Sequence, residues 1–76
     1  MSSKIVPISW QKFEKFLLIV GCVFKRQRGS HRIYDREGLT RSVVVPAREV
    51  PIFVIRNNLR ILNITIEEYL NILKRL

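Results

Sequence analysis

The spacing of the apolar residues changes twice along this chain, and both changes fall at residues that end regular structure. From Trp10 to Val20 the apolar residues recur at helical spacing, and between Gly21 and Pro46 they alternate roughly at a period of two. After Pro51 the helical spacing returns and continues to the C-terminus. The sequence therefore predicts a short sheet between helical segments.

Start and stop signals predict three helices. The first follows Ser9, a favoured N-cap residue, and ends at Gly21, which adopts the left-handed conformation at little cost. The second ends at Asn63, which also tolerates that conformation, and the third opens with a capping box formed by Thr65 and Glu68. The three apolar stripes are Trp10, Phe13, Phe16, Leu17 and Val20; Ile52, Ile55, Leu59 and Leu62; and Ile66, Tyr69, Leu70 and Leu73.

The alternating region predicts a meander of three short antiparallel strands, with runs at Cys22–Arg28, Ser30–Asp35 and Thr40–Val45. Gly29 separates the first two runs, and Arg36–Gly38 is typical of a hairpin turn. The order α-β-β-β-α-α predicts an α+β fold in which the helices pack on one face of the sheet and leave the other face free.

The length of 76 residues fits one small domain, residues 1–76. The single cysteine, Cys22, allows no internal disulfide, and small secreted domains usually have several. The apolar run Phe16–Phe24 is too short to span a bilayer, and the N-terminus has no apolar core of signal-peptide length. We therefore expect a soluble cytoplasmic protein that is monomeric when free.

The chain is strongly basic, with 14 Lys and Arg against 6 Asp and Glu and a net charge of +8. Such an excess indicates a nucleic acid, an anionic membrane or an acidic protein as the partner. The stretch Lys25–Tyr34, KRQRGSHRIY, combines four basic residues with the single histidine of the chain, His31. The candidate phosphate-binding residues are Lys25, Arg26, Arg28, Gly29, Ser30, Arg32 and Arg41.

This stretch has two interpretations. A basic run on a strand is more often a solvated face, and a lone histidine is more often structural or merely exposed than catalytic. The functional interpretation is that arginines hold phosphates, Gly29 lets a backbone amide approach them and His31 exchanges a proton with a ribose 2′-hydroxyl. Tyr34 would be able to stack on a base if it lay on the free face of the sheet.

The side-chain parity of the second strand is an open question in the sequence. His31 shares parity with Ile33, which we expect to face the core. Either His31 extends from the end of that face beyond the helices, or a bulge at Gly29 resets the parity.

Other chemistries lack the residues they need. There is no second histidine and no acidic or cysteine cluster at ligand spacing, so we expect no metal and no other cofactor. Cys22 lies in an apolar run and is a poor candidate for an activated thiolate. No phosphate-binding glycine loop of the P-loop or dinucleotide type is present.

Several motifs together resemble the HicA toxins, small messenger-RNA-cleaving proteins of bacterial and archaeal toxin–antitoxin modules. They are Gly21 after a helix, the segment F-K-R-Q-R-G-S-H-R-I-Y from Phe24 to Tyr34, a strand ending V-V-V-P at Pro46, and L-R-I-L-N-I-T-I-E-E-Y-L from Leu59 to Leu70. The resemblance implies a fold similar to double-stranded-RNA-binding domains and a ribonuclease whose catalytic residue is His31. It also implies a cognate HicB antitoxin that blocks the site.

Three functions remain open at this point. The first is a metal-independent endoribonuclease toxin that uses His31 as a general base. The second is a non-catalytic RNA-binding module, in which the basic strand only holds phosphate. The third is an interaction protein whose basic face meets an acidic partner.

Overall fold

The computed structural model describes residues 4–76, and the elements follow in the predicted order α-β-β-β-α-α. This α+β architecture confirms the predicted fold class and is consistent with a fold like that of double-stranded-RNA-binding domains. No helix within residues 4–76 is long and apolar enough to cross a membrane. The elements are α1 (Trp10–Ile19), β1 (Val23–Arg28), β2 (His31–Asp35), β3 (Val43–Pro46), α2 (Ile52–Leu62) and α3 (Ile66–Lys74).

The predicted helix signals are confirmed. Ser9 caps α1, because its hydroxyl accepts a hydrogen bond from the backbone amide of Lys12 at 3.2 Å. Both reciprocal bonds of the Thr65–Glu68 capping box are present at the start of α3. Asn63 ends α2 in the left-handed conformation, with φ 58° and ψ 43°. These local contacts set where each helix begins or ends.

The sheet is the predicted antiparallel meander, with strand order β1-β2-β3. The third strand differs from the prediction, because it starts at Val43 and includes Pro46. The segment before it is held in the connecting turn, where the Ser42 hydroxyl donates to the Asp35 carboxylate at 2.8 Å. Pro46 is tolerated because β3 is an edge strand, where a missing amide proton does not remove a ladder bond.

The core lies between the helices and one face of the sheet. Val43 and Val45 of β3 are fully buried, as are the aromatic rings that α1 and α3 bring together. Phe16 and Tyr69 pack edge to face with ring centroids 4.8 Å apart. The α2 helix is joined to the edge of β3 by buried Asn58, whose amide donates to the Val44 carbonyl at 3.1 Å.

The hairpin turn after β2 ties two helix ends to the sheet. Nη1 of Arg36 donates to the Val20 carbonyl at 3.1 Å and Nη2 donates to the Leu62 carbonyl at 3.2 Å. Both carbonyls belong to C-terminal turns, where a cation also favours the helix dipole. The adjacent Gly21 has φ +96°, and a Cβ there would lie 3.3 Å from the Arg36 side chain. Glycine is therefore favoured at this position by the left-handed backbone, and a Cβ would also crowd the Arg36 side chain.

Candidate functional site

His31 is the first residue of β2 and is exposed. It lies directly opposite Arg28 in β1 and Pro46 in β3. The turn before it contains Gly29 at φ +59°, a conformation that side chains rarely adopt. The carbonyl of Ser30 accepts a hydrogen bond from the Ala47 amide at 2.7 Å, so this turn is tied to the chain that leaves β3.

The strand register separates the two faces of the sheet, because residues directly opposite each other in antiparallel strands share a face. One face, called here the helix face, contains the rows Gln27–Arg32–Val45 and Phe24–Tyr34–Val43. The other, called here the open face, contains the rows Arg28–His31–Pro46 and Arg26–Ile33–Val44.

The expectation that Ile33 faces the helices is wrong. Tyr34 is the fully buried residue of β2, whereas Ile33 shares the open face with His31 and is only partly buried. The register irregularity lies in β1, between Phe24 and Arg26, and not at Gly29. The burial of Tyr34 is favoured because its large ring packs in the core while its hydroxyl finds hydrogen-bonding partners there. His31 is exposed as a consequence of this parity.

The helix face carries a polar network that connects β2 to α1. Nη2 of Arg32 donates to Oε2 of Glu14 at 2.9 Å, and the Tyr34 hydroxyl donates to the same oxygen at 2.7 Å. Nε of Arg32 donates to the Tyr34 hydroxyl at 3.0 Å and its Nη1 donates to Gln27 at 2.8 Å. The Arg32 guanidinium also lies over the rings of Trp10 and Phe24, 4.4 Å and 4.2 Å from their centroids.

The pKa values of Glu14 and Tyr34 favour a charged carboxylate and a neutral phenol in this network at neutral pH. Partial burial acts to raise the pKa of Glu14, but the hydrogen bonds from Tyr34 and Arg32 and the charge of Arg32 outweigh it and lower that pKa. Burial raises the pKa of Tyr34 to about 12, and the hydrogen bond to Glu14 also acts in that direction. The carboxylate is therefore charged and the phenol neutral when they contact Arg32.

Two sequence-based expectations are affected by this network. Tyr34 does not lie on the open face, so the condition for stacking on a base is not met. Arg32 stood among the candidate phosphate-binding residues, but the structure places its guanidinium on the helix face against Glu14. The positive charge of Arg32 is therefore paired with the Glu14 carboxylate within the protein.

The other candidate residues have a different placement. Arg26 and Arg28 are exposed on the open face, in the two rows that also hold Ile33 and His31. Lys25 is exposed at the register irregularity of β1, and Arg41 is exposed in the connection between β2 and β3. The structure thus brings Arg26 and Arg28 together with His31, and it places Lys25 and Arg41 at other parts of the surface.

A groove of about 720 Å³ lies beside His31, between β3 and the first turns of α2. The lining residues are His31, Val44, Pro46, Arg48, Pro51, Phe53, Val54, Arg56, Asn57 and Arg60. The α2 helix has no acidic residue in its first turn and no side-chain cap at Pro51. The positive end of its dipole therefore adds to the charge of the three arginines.

Arg48, Arg56 and Arg60 were not among the candidates from the sequence, although two of them carried a signal. Arg56 and Arg60 are four residues apart on α2, opposite the apolar stripe that includes Ile55 and Leu59. This spacing indicates an exposed basic face. It does not indicate that the face lines the same groove as His31, because the position of α2 relative to His31 depends on how α2 packs against β3.

Within residues 4–76, no group of three or more His, Cys, Asp and Glu side chains is arranged to hold a metal ion. Cys22 is buried, and burial raises the pKa of its thiol. The raised pKa disfavours the thiolate, which is the reactive form.

Comparison with known proteins supports one family. A family model described as "HicA toxin of bacterial toxin-antitoxin" matches residues 10–64, which is more than half of the chain. The matched segment begins with α1, contains the three strands and ends just after α2. No match was found among curated proteins, and none among solved structures.

Proposed function

The chain belongs to the HicA toxin family of bacterial toxin–antitoxin modules, and from this premise we propose that it is an endoribonuclease that cleaves messenger RNA with His31. The observation that carries the proposal is the position of the imidazole. His31 is exposed on the open face, opposite Arg28 and one row away from Arg26. A general base thus lies beside two groups that bind phosphate.

In the proposed reaction, His31 takes the proton from a ribose 2′-hydroxyl as that oxygen attacks the adjacent phosphorus. The bond from phosphorus to the 5′-oxygen breaks, and the leaving oxygen takes a proton from water. The hydroxide left by that water takes the proton back from the His31 imidazolium. The products are a 2′,3′-cyclic phosphate and a 5′-hydroxyl, so the atoms and charges balance without a metal ion and His31 is regenerated. The need for a 2′-hydroxyl restricts this activity to RNA.

Arg26 and Arg28 have the electrostatic role in this proposal. Negative charge increases on the phosphoryl oxygens in the transition state, and guanidinium groups stabilise it through charge-assisted hydrogen bonds. Lys25 and Arg41, which are exposed farther from His31, contribute to the attraction of the RNA backbone. The net charge of +8 favours the same partner.

The backbone around His31 keeps the imidazole on the open face. Gly29 supplies the left-handed turn conformation, and the Ala47–Ser30 hydrogen bond fixes the start of β2. On the other side of the strand, Arg32 and Tyr34 anchor β2 to Glu14 of α1. Arg32 is therefore a structural residue in this proposal and not a contact for RNA.

Membership of a toxin–antitoxin family implies an antitoxin partner. We propose that this partner is of the HicB type and inhibits the toxin by covering His31 and the neighbouring arginines. An acidic surface would match the basic open face. The site of action would be the cytoplasm, where messenger RNA and antitoxin are both present.

The test compares wild-type protein with His31→Ala on a long RNA and on DNA of the same sequence. We expect wild type to cleave only the RNA, also in the presence of a chelator, and to leave 2′,3′-cyclic phosphate ends. Loss of the general base is expected to slow cleavage about 10²–10⁴-fold. Lys15→Ala, on the exposed side of α1, is the matched control and should cleave like wild type.

Circular dichroism would show whether the His31→Ala variant is folded. A folded variant that cleaves at the wild-type rate would contradict the role of His31. Binding of RNA without cleavage by wild type would instead favour the non-catalytic RNA-binding module.

A further inference from the structure

Phe53 is the most exposed of the large hydrophobic side chains in the described part of the chain, with 74% of its surface accessible. It lies in the first turn of α2 and lines the groove that also contains His31. An exposed aromatic ring beside a candidate catalytic residue is a surface on which a planar group can stack.

The residues around Phe53 form one stripe of α2. Arg56, Asn57 and Arg60 follow Phe53 by three, four and seven residues, which places them on the same side of the helix. The opposite side of α2, with Ile55 and Leu59, is buried in the core. Phe53 is thus not a displaced core residue, because Ile55, Leu59 and Leu62 fill the core-facing side of α2, whereas the predicted stripe residue Ile52 is itself exposed.

We propose that this groove binds one nucleotide of single-stranded RNA beside the cleaved phosphate, an inference that rests on the proposed function. The base stacks on Phe53, and the amide of Asn57 contacts the edge of the base. Arg56 and Arg60 hold the phosphates on either side of that nucleotide. Arg48, in the loop between β3 and α2, also lines the groove and adds positive charge.

The composition and size of the groove favour a nucleotide. Its lining includes three arginines and no Asp or Glu, which suits an anionic ligand. Val44, Pro46 and Val54 supply apolar surface for the base. The volume of about 720 Å³ lies within the range of roughly 300–1,000 Å³ that is usual for small-ligand pockets.

The ligand is single-stranded because a base must leave its stack to lie against an aromatic side chain. In a duplex both faces of each base are covered by neighbouring bases. Stacking on an aromatic ring accepts every base, and the Asn57 amide offers both a donor and an acceptor for discrimination among them. Phe53 would thus determine the affinity for RNA, and Asn57 would determine which base is preferred.

The experiment measures binding of a single-stranded adenosine heptamer with 2′-O-methyl riboses, which cannot react through the 2′-hydroxyl. Fluorescence anisotropy gives the dissociation constant for the intact heptamer and for heptamers with one abasic position at a time. Each is measured with wild type, Phe53→Ala, Phe53→Trp and the control Ile19→Ala. Ile19 is an exposed apolar residue of α1 and lies outside the groove.

Phe53→Ala is expected to weaken binding of the intact heptamer about 5- to 150-fold, the range for loss of one base–aromatic stack. An abasic residue at one position should weaken binding by wild type by a similar factor. It should weaken binding by Phe53→Ala much less, because the stacking contact is already absent and only the Asn57 contact to that base remains to be lost. Phe53→Trp should keep the affinity, and its added fluorescence should be quenched by the intact heptamer. Ile19→Ala should bind like wild type.

Additive effects of Phe53→Ala and of the abasic residue at every position would overturn the subsite. Additive effects are also the result expected if the groove binds an acidic protein segment and not RNA. Cleavage by wild type together with additive binding would overturn the subsite alone. Coupled binding without any cleavage would overturn the proposed enzyme and leave the subsite standing, and failure to bind the heptamer would overturn the subsite.

Discussion

His31 and Arg32 are neighbours in the sequence, but the two faces of β2 give them opposite surroundings. Arg32 donates to Glu14, Tyr34 and Gln27 and lies over two aromatic rings on the helix face. His31 is exposed on the open face beside Arg28. Both are basic residues of one motif, and the pleat of the strand separates them. Adjacent positions of one strand thus have separate surroundings: Arg32 is held inside the protein, whereas His31 is left accessible at the surface.

The largest expected effect on stability tests this division at Tyr34. Tyr34→Ala removes a fully buried ring that packs on Phe24 at 5.7 Å and a hydroxyl bound to Glu14. Such a change costs about 3–5 kcal/mol, a large part of the stability of a domain this small. Urea unfolding followed by circular dichroism measures the loss.

The matched change on the open face is His31→Ala, which should alter the free energy of unfolding by no more than about 0.5 kcal/mol. Equal losses from Tyr34→Ala and His31→Ala would show that the two faces do not divide stability in this way.

A smaller effect is expected at Glu14, and it depends on pH. Glu14→Gln removes the charge that pairs with Arg32 and should cost about 1–2 kcal/mol at neutral pH, since the pair is only partly buried. The folded state lowers the pKa of Glu14 below its ordinary 4.5. The contribution of Glu14 is therefore present above about pH 4.5 and is lost as the pH falls through the lowered pKa.

Urea titrations between neutral and acidic pH provide the measurement. The difference between wild type and Glu14→Gln should shrink below pH 4.5, whereas Glu49→Gln, in an exposed loop, should match wild type throughout. A constant difference across this range would mean that the ion pair with Arg32 is not the source of the stability.

The smallest effect compares two buried tyrosines. Tyr34 has hydrogen-bonding partners, whereas the buried hydroxyl of Tyr69 has none within the described residues. Tyr34→Phe should lower the free energy of unfolding by about 1 kcal/mol, because it removes satisfied hydrogen bonds. Tyr69→Phe should raise it by up to about 1 kcal/mol, because it removes an unsatisfied group from the core.

Burial raises the pKa of both hydroxyls from 10.0 to about 12. Because each tyrosine ionises at a lower pH in the unfolded state than in the folded state, the free energy of unfolding falls as the pH rises from 10 toward 12, and either Tyr→Phe change should flatten this alkaline decline. Destabilisation by Tyr69→Phe at neutral pH would indicate that its hydroxyl has a partner after all.

Much of the fold could be predicted because its signals are local. The capping residues form hydrogen bonds with backbone groups no more than four positions away, so their sequence patterns match the helix ends that the structure shows. These residues are Ser9, Asn63, Thr65 and Glu68. The predicted third strand starts at Thr40, three residues before the observed start at Val43. The difference arises because Ser42 is held in the turn by a hydrogen bond to Asp35, seven positions away, which a local pattern does not reveal.

The candidate site was less predictable. The sequence placed His31 in a basic strand, but its exposure depends on which parity of β2 is buried. Hydropathy favours Ile33 as the buried residue, whereas the structure buries Tyr34, because Glu14 and Arg32 satisfy its hydroxyl. The irregularity at Phe24 and Arg26 adds a further shift that no local residue pattern reveals.

The sequence by itself therefore determined the order of elements, the helix ends and the basic strand with one histidine, since each depends on neighbours along the chain. Only the tertiary structure decided that Arg32 is paired with Glu14 and that His31 is exposed. It also decided that Phe53, Arg56 and Arg60 line the same groove as His31. These contacts join residues that are far apart in the chain, and their free energies depend on packing between helices and sheet. A spacing pattern cannot specify that packing, because the same stripe of residues can meet several different partners.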